Sequence, residues 1–323
     1  MAGFRKAKAE QAAIKMGVYG ASGSGKTFTS LLMAEGLAKA SGKRVAFVDT
    51  ERGTDFYVKD VPARQVHPKA FDIDALYSRS LVEVLAAIRG LDQSVYGCVV
   101  LDSMTHLWEA ARNAYAGKKN GAGQIPFHAW ASIKRPYKEM MELLLSSPMH
   151  VIICGRQGNE YAEDDDGELK MVGHKMKAEG ETPYEPHILI RMEGVRDHGA
   201  TTYYAYVEKD RTGVLSGRAF PNPTFDTLCA PVLSLLGGTQ AKMQTSDEAA
   251  TADAEALGIE ELERAKQSEA LLSEWTAKMQ LAKTKDELDA VSKQITPAIK
   301  KEMTPADVTA LRERYQELLT KVR

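Results

Sequence analysis

Residues 14–28 read IKMGVYGASGSGKTF, and this stretch decides the fold class. Ile14 to Tyr19 is a short, largely apolar run of strand character, and Phe28 to Ala40 follows a helical pattern that ends at Ser41-Gly42. Between them lie Gly20, Ala21, Ser22, Gly23, Ser24, Gly25, Lys26 and Thr27, a glycine-rich turn closed by a lysine and a hydroxyl. Glycines at this spacing let backbone N–H groups close around phosphate oxygens, and the helix N-terminus adds the positive end of its dipole. Lys26 is then expected on the outer phosphates and the Thr27 hydroxyl on Mg²⁺. A glycine turn with a chance lysine would not need the strand before it and the helix after it. The pattern predicts a site for ATP with Mg²⁺, with Phe28 at its edge.

Outward from this loop, strand and helix signals alternate. Arg44 to Val48, Cys98 to Leu101 and Val151 to Cys154 read as strands, and Leu81 to Ile88 and Trp130 to Leu145 as helices. Short apolar strands separated by helices predict an α/β fold, a mostly parallel twisted sheet covered on both faces. His187 to Met192 and Thr201 to Val207 read as later strands, before a proline-rich stretch from Phe220 to Pro231. Composition then shifts to small polar residues. The expected organisation is an N-terminal segment 1–13, an ATPase core 14–236, a linker 237–257 and a helical module 258–323. Three amphipathic helices are expected in that module. Leu271, Trp275 and Met279 mark the first, Thr284 and Glu287 cap the second, and Thr304-Pro305 opens the third.

Composition bounds the rest. The 323 residues are 44% apolar with a net charge of −2, so any grip on nucleic acid must come from local basic contacts. Three scattered cysteines suggest neither a disulfide framework nor a zinc site. No run approaches the roughly 18 apolar residues of a membrane span, and MAGFRKAKAEQAAIK has no apolar leader core. A reducing, cytoplasmic setting is the expectation.

In parallel sheets the loops at the carboxyl ends of the strands converge on the ligand. Asp102 ends the apolar strand CVVLD and is the expected second Mg²⁺ ligand. Asp49 and Glu51, in FVDTE, both follow the second strand, and either could polarise an attacking water. Gln157, after HVIICGR, is placed to sense the outer phosphate. Lys209 and Arg211, in EKDR, could stabilise transferring charge, in cis or from a neighbouring subunit. Lys118, Lys119, Phe127 and Trp130 interleave basic and aromatic residues with glycine, a pattern suited to single strands. Lys170, His174, Lys175 and Lys177 could meet phosphates. The acidic Asp164 to Asp166, read as a hairpin turn ending at Gly167, would repel them.

The order of these motifs resembles a RecA-type ATPase core: P-loop, FVDTE, VVLDS, a strand with a polar glutamine, then K-x-R. The resemblance implies that Glu51, rather than Asp49, activates water, that Gln157 is the switch glutamine, and that Lys209 and Arg211 reach across a subunit interface. It also puts Asp55 and Tyr57 near the adenine. The compact core over residues 14 to 236 is similar to the phage single-strand-annealing ATPases of the Sak type. That likeness implies single-stranded DNA as partner, self-association into a ring or filament, and a single-strand-binding protein on the C-terminal helices. Gly3-Phe4-Arg5-Lys6-Ala7 resembles the polymerisation motif of archaeal and eukaryotic recombinases. Two other classes stay open at this point. An ATPase that remodels a protein partner shares every motif, whereas a small-molecule kinase needs an arginine-rich lid, and none stands out.

Overall fold

The computed structural model describes residues 13–117, 125–164, 167–236 and 246–322. The chain forms two compact units, Met1–Met243 and Gln244–Arg323.

In the first unit, β1 (Lys15–Gly20) leads through the glycine loop into α1 (Lys26–Ala40). There follow β2 (Arg44–Asp49), β3 (Ile73–Tyr77), α2 (Leu81–Arg89), β4 (Tyr96–Asp102), α3 (Met104–Gly117), α4 (Trp130–Ser146) and β5 (His150–Glu163). β6 (Leu169–Lys177), β7 (Ile188–Asp197), β8 (Ala200–Asp210) and β9 (Ala219–Pro221) come next, then the short α5 (Phe225–Leu228) and α6 (Ala230–Leu233). The sheet runs β3-β2-β4-β5-β1-β7-β8-β9, with β6 paired to β5. The first six strands of that order are parallel, and β6, β8 and β9 are antiparallel.

Burial on both faces explains why the central strands read as unbroken apolar runs. Cys98, Val100, Ile152 and Cys154 pack with Leu31 and Leu37 of α1 in one core. The alternate residues Val99, Leu101, Val151 and Ile153 pack with Leu85, Leu107, Tyr137 and Leu144 from α2, α3 and α4 in the other. At the start of β1, Lys15 is 1% exposed and its Nζ donates to the carbonyls of Leu144, Ser147 and Met149 at 2.8, 2.6 and 2.7 Å. A cation there closes the C-terminal end of α4, where the helix dipole is negative.

Several elements depart from the sequence reading. β3 is a half-buried strand containing Asp74 and carries no apolar-run signal. β5 runs on to Glu163, so Gln157 sits inside a strand rather than after one. Its continuation pairs with β6 as a hairpin. Gly167, with φ 78°, donates its N–H to the Asp164 carbonyl, while Asp165 and Asp166 of the expected turn lie outside the described residues. β5 lies between β4 and β1, one strand separating the Asp102 strand from the loop strand.

The second unit corrects the linker and the helix count. Residues 246–257 of the stretch read as linker form α7 (Ser246–Leu257), while 237–245 lie outside the described residues. α8 (Ile259–Gln280), α9 (Lys285–Gln294), α10 (Pro297–Glu302) and α11 (Pro305–Leu319) follow. Within 258–323, α10, opened by Thr296 and Pro297, is the helix that the sequence reading missed. Thr284 and Thr304 accept the backbone N–H three residues on, as expected for N-caps. The stripes meet in a core of Trp275, Met279, Leu288, Ile295, Met303 and Leu311.

Candidate active site

The carboxyl end of the parallel sheet opens into a cavity of about 720 Å³. Gly20–Gly23 and Gly25–Thr29 line it with Glu51, Tyr57, Arg64, Asp102, Ser103, Arg156, Gln157 and Tyr203. The loop's shape depends on glycine at two places. A Cβ on Gly20 would stand 2.3 Å from the Met192 carbonyl oxygen. Gly25, just before α1, has φ 86°, and a Cβ there would meet the Tyr203 ring at 2.9 Å. Lys26 Nζ donates to the Ala21 carbonyl at 2.8 Å. Burial lowers its pKa, opposed by the charge of Asp102.

Asp102 is 7% exposed, and its Oδ2 accepts the Thr27 hydroxyl at 2.5 Å. Although β5 separates the two strands, α1 crosses the sheet face and brings Thr27 over. Burial pushes the Asp102 carboxyl up to about 6 against the hydroxyl's opposing pull. Ser103 Oγ, next in the chain, and Ser24 Oγ, within the glycine loop, are buried with no hydrogen-bond partner. Among the described residues no group of three or more His, Cys, Asp or Glu could hold a metal on its own. This donor set fits a divalent cation held by one hydroxyl and one carboxylate, with phosphate and water oxygens completing the shell.

The geometry separates the two carboxylates after β2. Asp49 is 3% exposed and fully engaged: it accepts the Glu51 N–H at 2.8 Å and both the N–H and hydroxyl of Thr54 at 2.9 and 2.5 Å. Burial alone would raise its pKa, but these bonds outweigh it and hold the carboxyl below its ordinary value. It is the staple of the turn over 49–54. Glu51 instead faces the cavity, where its Oε1 accepts from Arg156 Nη2 at 2.7 Å and lies 3.5 Å from His106 Nε2. His106 is itself fixed by Thr50, at 2.7 Å from its Nδ1.

Beside the loop, Phe28 and Tyr57 are tilted rings 5.9 Å apart, with the Arg64 guanidinium 5.4 Å from each. Arg64 also donates to the Phe56 and His67 carbonyls, which fixes it. Two flat rings under a planar cation form a surface on which a base can stack.

The remaining expectations divide. Gln157 reaches the cavity, and it also lines the adjoining cleft with His174, Arg191 and Arg196. Asp55 accepts from the Tyr77 hydroxyl at 3.0 Å and does not line the cavity. Lys209 and Arg211 lie away from it, donating to the Tyr184 carbonyl, because β8 runs antiparallel and carries its end toward the start of β1. Trp130 packs on Trp108 at 6.2 Å, while Phe127 is 94% exposed. Lys170 pairs with Asp164 and Lys177 with Glu109. Lys118, Lys119 and the Gly3–Ala7 motif lie outside the described residues.

Arg64, Tyr203 and Arg156 escaped the sequence reading. Only Arg156 left a usable signal, since β-strand alternation puts it on the face of Cys154, whose Sγ meets Ser30 Oγ of α1 at 3.2 Å.

Fold and loop together define a P-loop ATPase core. More particularly, the chain belongs to the AAA domain family, whose model matches residues 12–212. No curated protein matches it. Among solved structures it is similar to a KaiC-like protein, PH0186, from the hyperthermophilic archaeon Pyrococcus horikoshii OT3. That match has 15% identity over 66% of this chain and 92% of that one, with a TM-score of 0.38. A second solved structure, the ATPase domain of another protein, is similar at 13% identity over 66% of this chain and 80% of that one, with a TM-score of 0.40. Among the described residues no helix is long and apolar enough to cross a membrane.

Proposed function

We propose that this chain binds ATP with Mg²⁺, hydrolyses it, and acts on single-stranded DNA in phage recombination or annealing. One observation carries the hydrolytic part. A single cavity brings together the glycine loop, the Thr27–Asp102 pair and the Glu51 carboxylate, while the rival Asp49 is consumed by a turn. Lys26 holds the outer phosphates, Thr27 and Asp102 the metal, and Phe28, Tyr57 and Arg64 the base. Glu51 accepts a proton from water, with His106 steadying the carboxylate. The bound Mg²⁺ supplies charge neutralisation along the phosphates.

Gln157 supports the link to DNA. It touches the cavity at the root of the β5–β6 hairpin, where the exposed Lys175 and then His174 follow along β6 and the exposed Tyr161 lies further out on β5. A strand gripped there would act on the same β-strand that borders the phosphates. Self-association into a ring or filament would bring Lys209 and Arg211 to a neighbour's site, since they do not reach their own. The C-terminal helices would serve a partner such as a single-strand-binding protein.

The test is turnover with and without single-stranded DNA. DNA should raise the ATPase rate several-fold and should fail to do so in Gln157→Ala. A rate unmoved by DNA would transfer the same machinery to a protein partner.

A further inference from the structure

We infer that Arg156 restrains Glu51 in the nucleotide-free protein and gives up that carboxylate for the phosphates of the bound nucleotide. The inference rests on the ATPase reading above. Its ground is an ion pair across the cavity: Arg156 Nη2 to Glu51 Oε1 at 2.7 Å, joining the end of β2 to the middle of β5.

Three features make this a pair built to exchange. First, Arg156 stands beside the phosphate loop, because its backbone is in register with Gly20 on β1. Its N–H donates to Thr105 Oγ1 at 2.9 Å, which fixes the backbone while the side chain remains about half exposed. Second, the pair is cheap to break. Both partners are partly solvated, at 50% and 44% exposure, and such pairs contribute little. Third, the arginine already acts in the field of the phosphate lysine. The charges of Glu51 and Arg156 push the Lys26 ammonium in opposite directions.

A polyphosphate in the cavity outbids one carboxylate for this guanidinium, because its oxygens carry more charge and match the planar fork. The same anion repels Glu51. One event therefore places a second cation on the phosphates and frees the carboxylate. His106, 3.5 Å from the same Oε1, remains to orient it. Arg156 is thus a positioning residue for Glu51 before binding and a phosphate contact after it.

The test is a double-mutant cycle on the affinity of a non-hydrolysable ATP analogue in Mg²⁺, read by calorimetry, so that turnover plays no part. Arg156→Gln should weaken the analogue roughly tenfold, the size of one charge-assisted hydrogen bond, and weaken ADP less. Glu51→Gln should tighten the analogue several-fold, because it removes the competitor for the guanidinium. In the Arg156→Gln background the Glu51→Gln change should do almost nothing. Arg156→Lys should recover part of the affinity, since the charge returns without the fork. Additive effects of the two substitutions, or no tightening in Glu51→Gln, would overturn the exchange. Lys26→Ala serves as the control for the underlying reading. If it binds the analogue like the parent, the loop assignment fails. If it loses binding while the cycle is additive, only the exchange fails.

Discussion

A lysine stands near each end of β1, and the two could hardly be treated more differently. Lys15, where the strand begins, is 1% exposed and gives its three protons to three carbonyls. Lys26, just past its end, has one carbonyl for a partner, and the hydroxyls of Ser24 and Ser103 nearby have none. Burial lowers both pKa values, that of Lys15 to about 7. Burial alone therefore does not mark a functional group. At the loop end, burial comes with hydrogen-bonding capacity left over, and an unmade buried bond is expensive unless a ligand completes it.

The largest effects come from exchanging the roles of those lysines. Lys26→Ala should lower ATP affinity more than 100-fold, from the loss of roughly 3 kcal/mol of charge-assisted bonds. The nucleotide-free protein should melt no lower than the parent, because the lysine that is lost was only partly paired. Lys15→Met should do the opposite. Three buried carbonyls lose their donor, at about 3 kcal/mol of stability or more, while ATP affinity of the folded fraction holds. Calorimetry and thermal melts of both variants check this. A Lys26→Ala protein that melts far below the parent would erase the distinction.

The next contrast lies within five residues. Glu51→Gln should cut turnover roughly 10²- to 10⁴-fold at unchanged melting temperature, the range for loss of a general base. Asp49→Asn should instead loosen the turn over 49–54, since the amide accepts fewer of the bonds that Thr54 and the Glu51 N–H make. Its turnover would fall less than that of Glu51→Gln. The reverse pattern in single-turnover assays would make Asp49 the base.

That contrast shows what a sequence can and cannot convey. The P-loop was legible because its chemistry is contiguous: strand, glycines, lysine, hydroxyl and helix occur in one string. Asp102 was legible as the polar end of an apolar strand. Asp49 and Glu51 looked alike, because what separates them is Thr54 folding back on one of them. Arg64 and Tyr203 reach the site from a loop without periodicity and from an antiparallel return strand, and only tertiary packing brings them to Phe28 and Gly25. Chain order likewise gave no sign that β5, the neighbour of the Asp102 strand, also pairs with β1. In the tail, small polar composition read as linker where α7 forms.

Acid should also loosen the structural end of β1. His150 accepts the Ile14 N–H at Nδ1, 2.9 Å away, so it must stay neutral there. Burial first and the Lys15 charge second pull its pKa down to about 4, and His187 is lowered to about 4 as well. The unfolded chain binds these protons near the ordinary value of 6.5, so it holds more of them than the fold between 6.5 and 4. Stability is therefore complete above 6.5 and is lost as pH falls toward 4, by up to ~3 kcal/mol for His150. His150→Asn keeps an acceptor without a titration and should flatten that loss. Denaturant midpoints at about pH 7, 6, 5 and 4 would show it. Parallel curves for parent and variant would mean that His150 titrates normally.

The smallest effect is expected where the two units divide. Each has its own core, and Trp275, Leu288 and Leu311 belong to one centred entirely within the helical unit. Removing 244–323 should leave ATP affinity within about twofold and the fold of the remaining unit intact, because a unit with its own core can fold alone. Turnover without DNA should hold too, with losses confined to assays that include a single-strand-binding protein. The removed piece offers its own check. Trp275 is its single tryptophan and is 6% exposed, so the isolated piece should emit at short wavelength and shift to long wavelength in one cooperative step in urea. Emission already at long wavelength in buffer would show that the helices need the ATPase unit to fold. The two-unit description would then fail, and the contrast between the ends of β1 would be untouched.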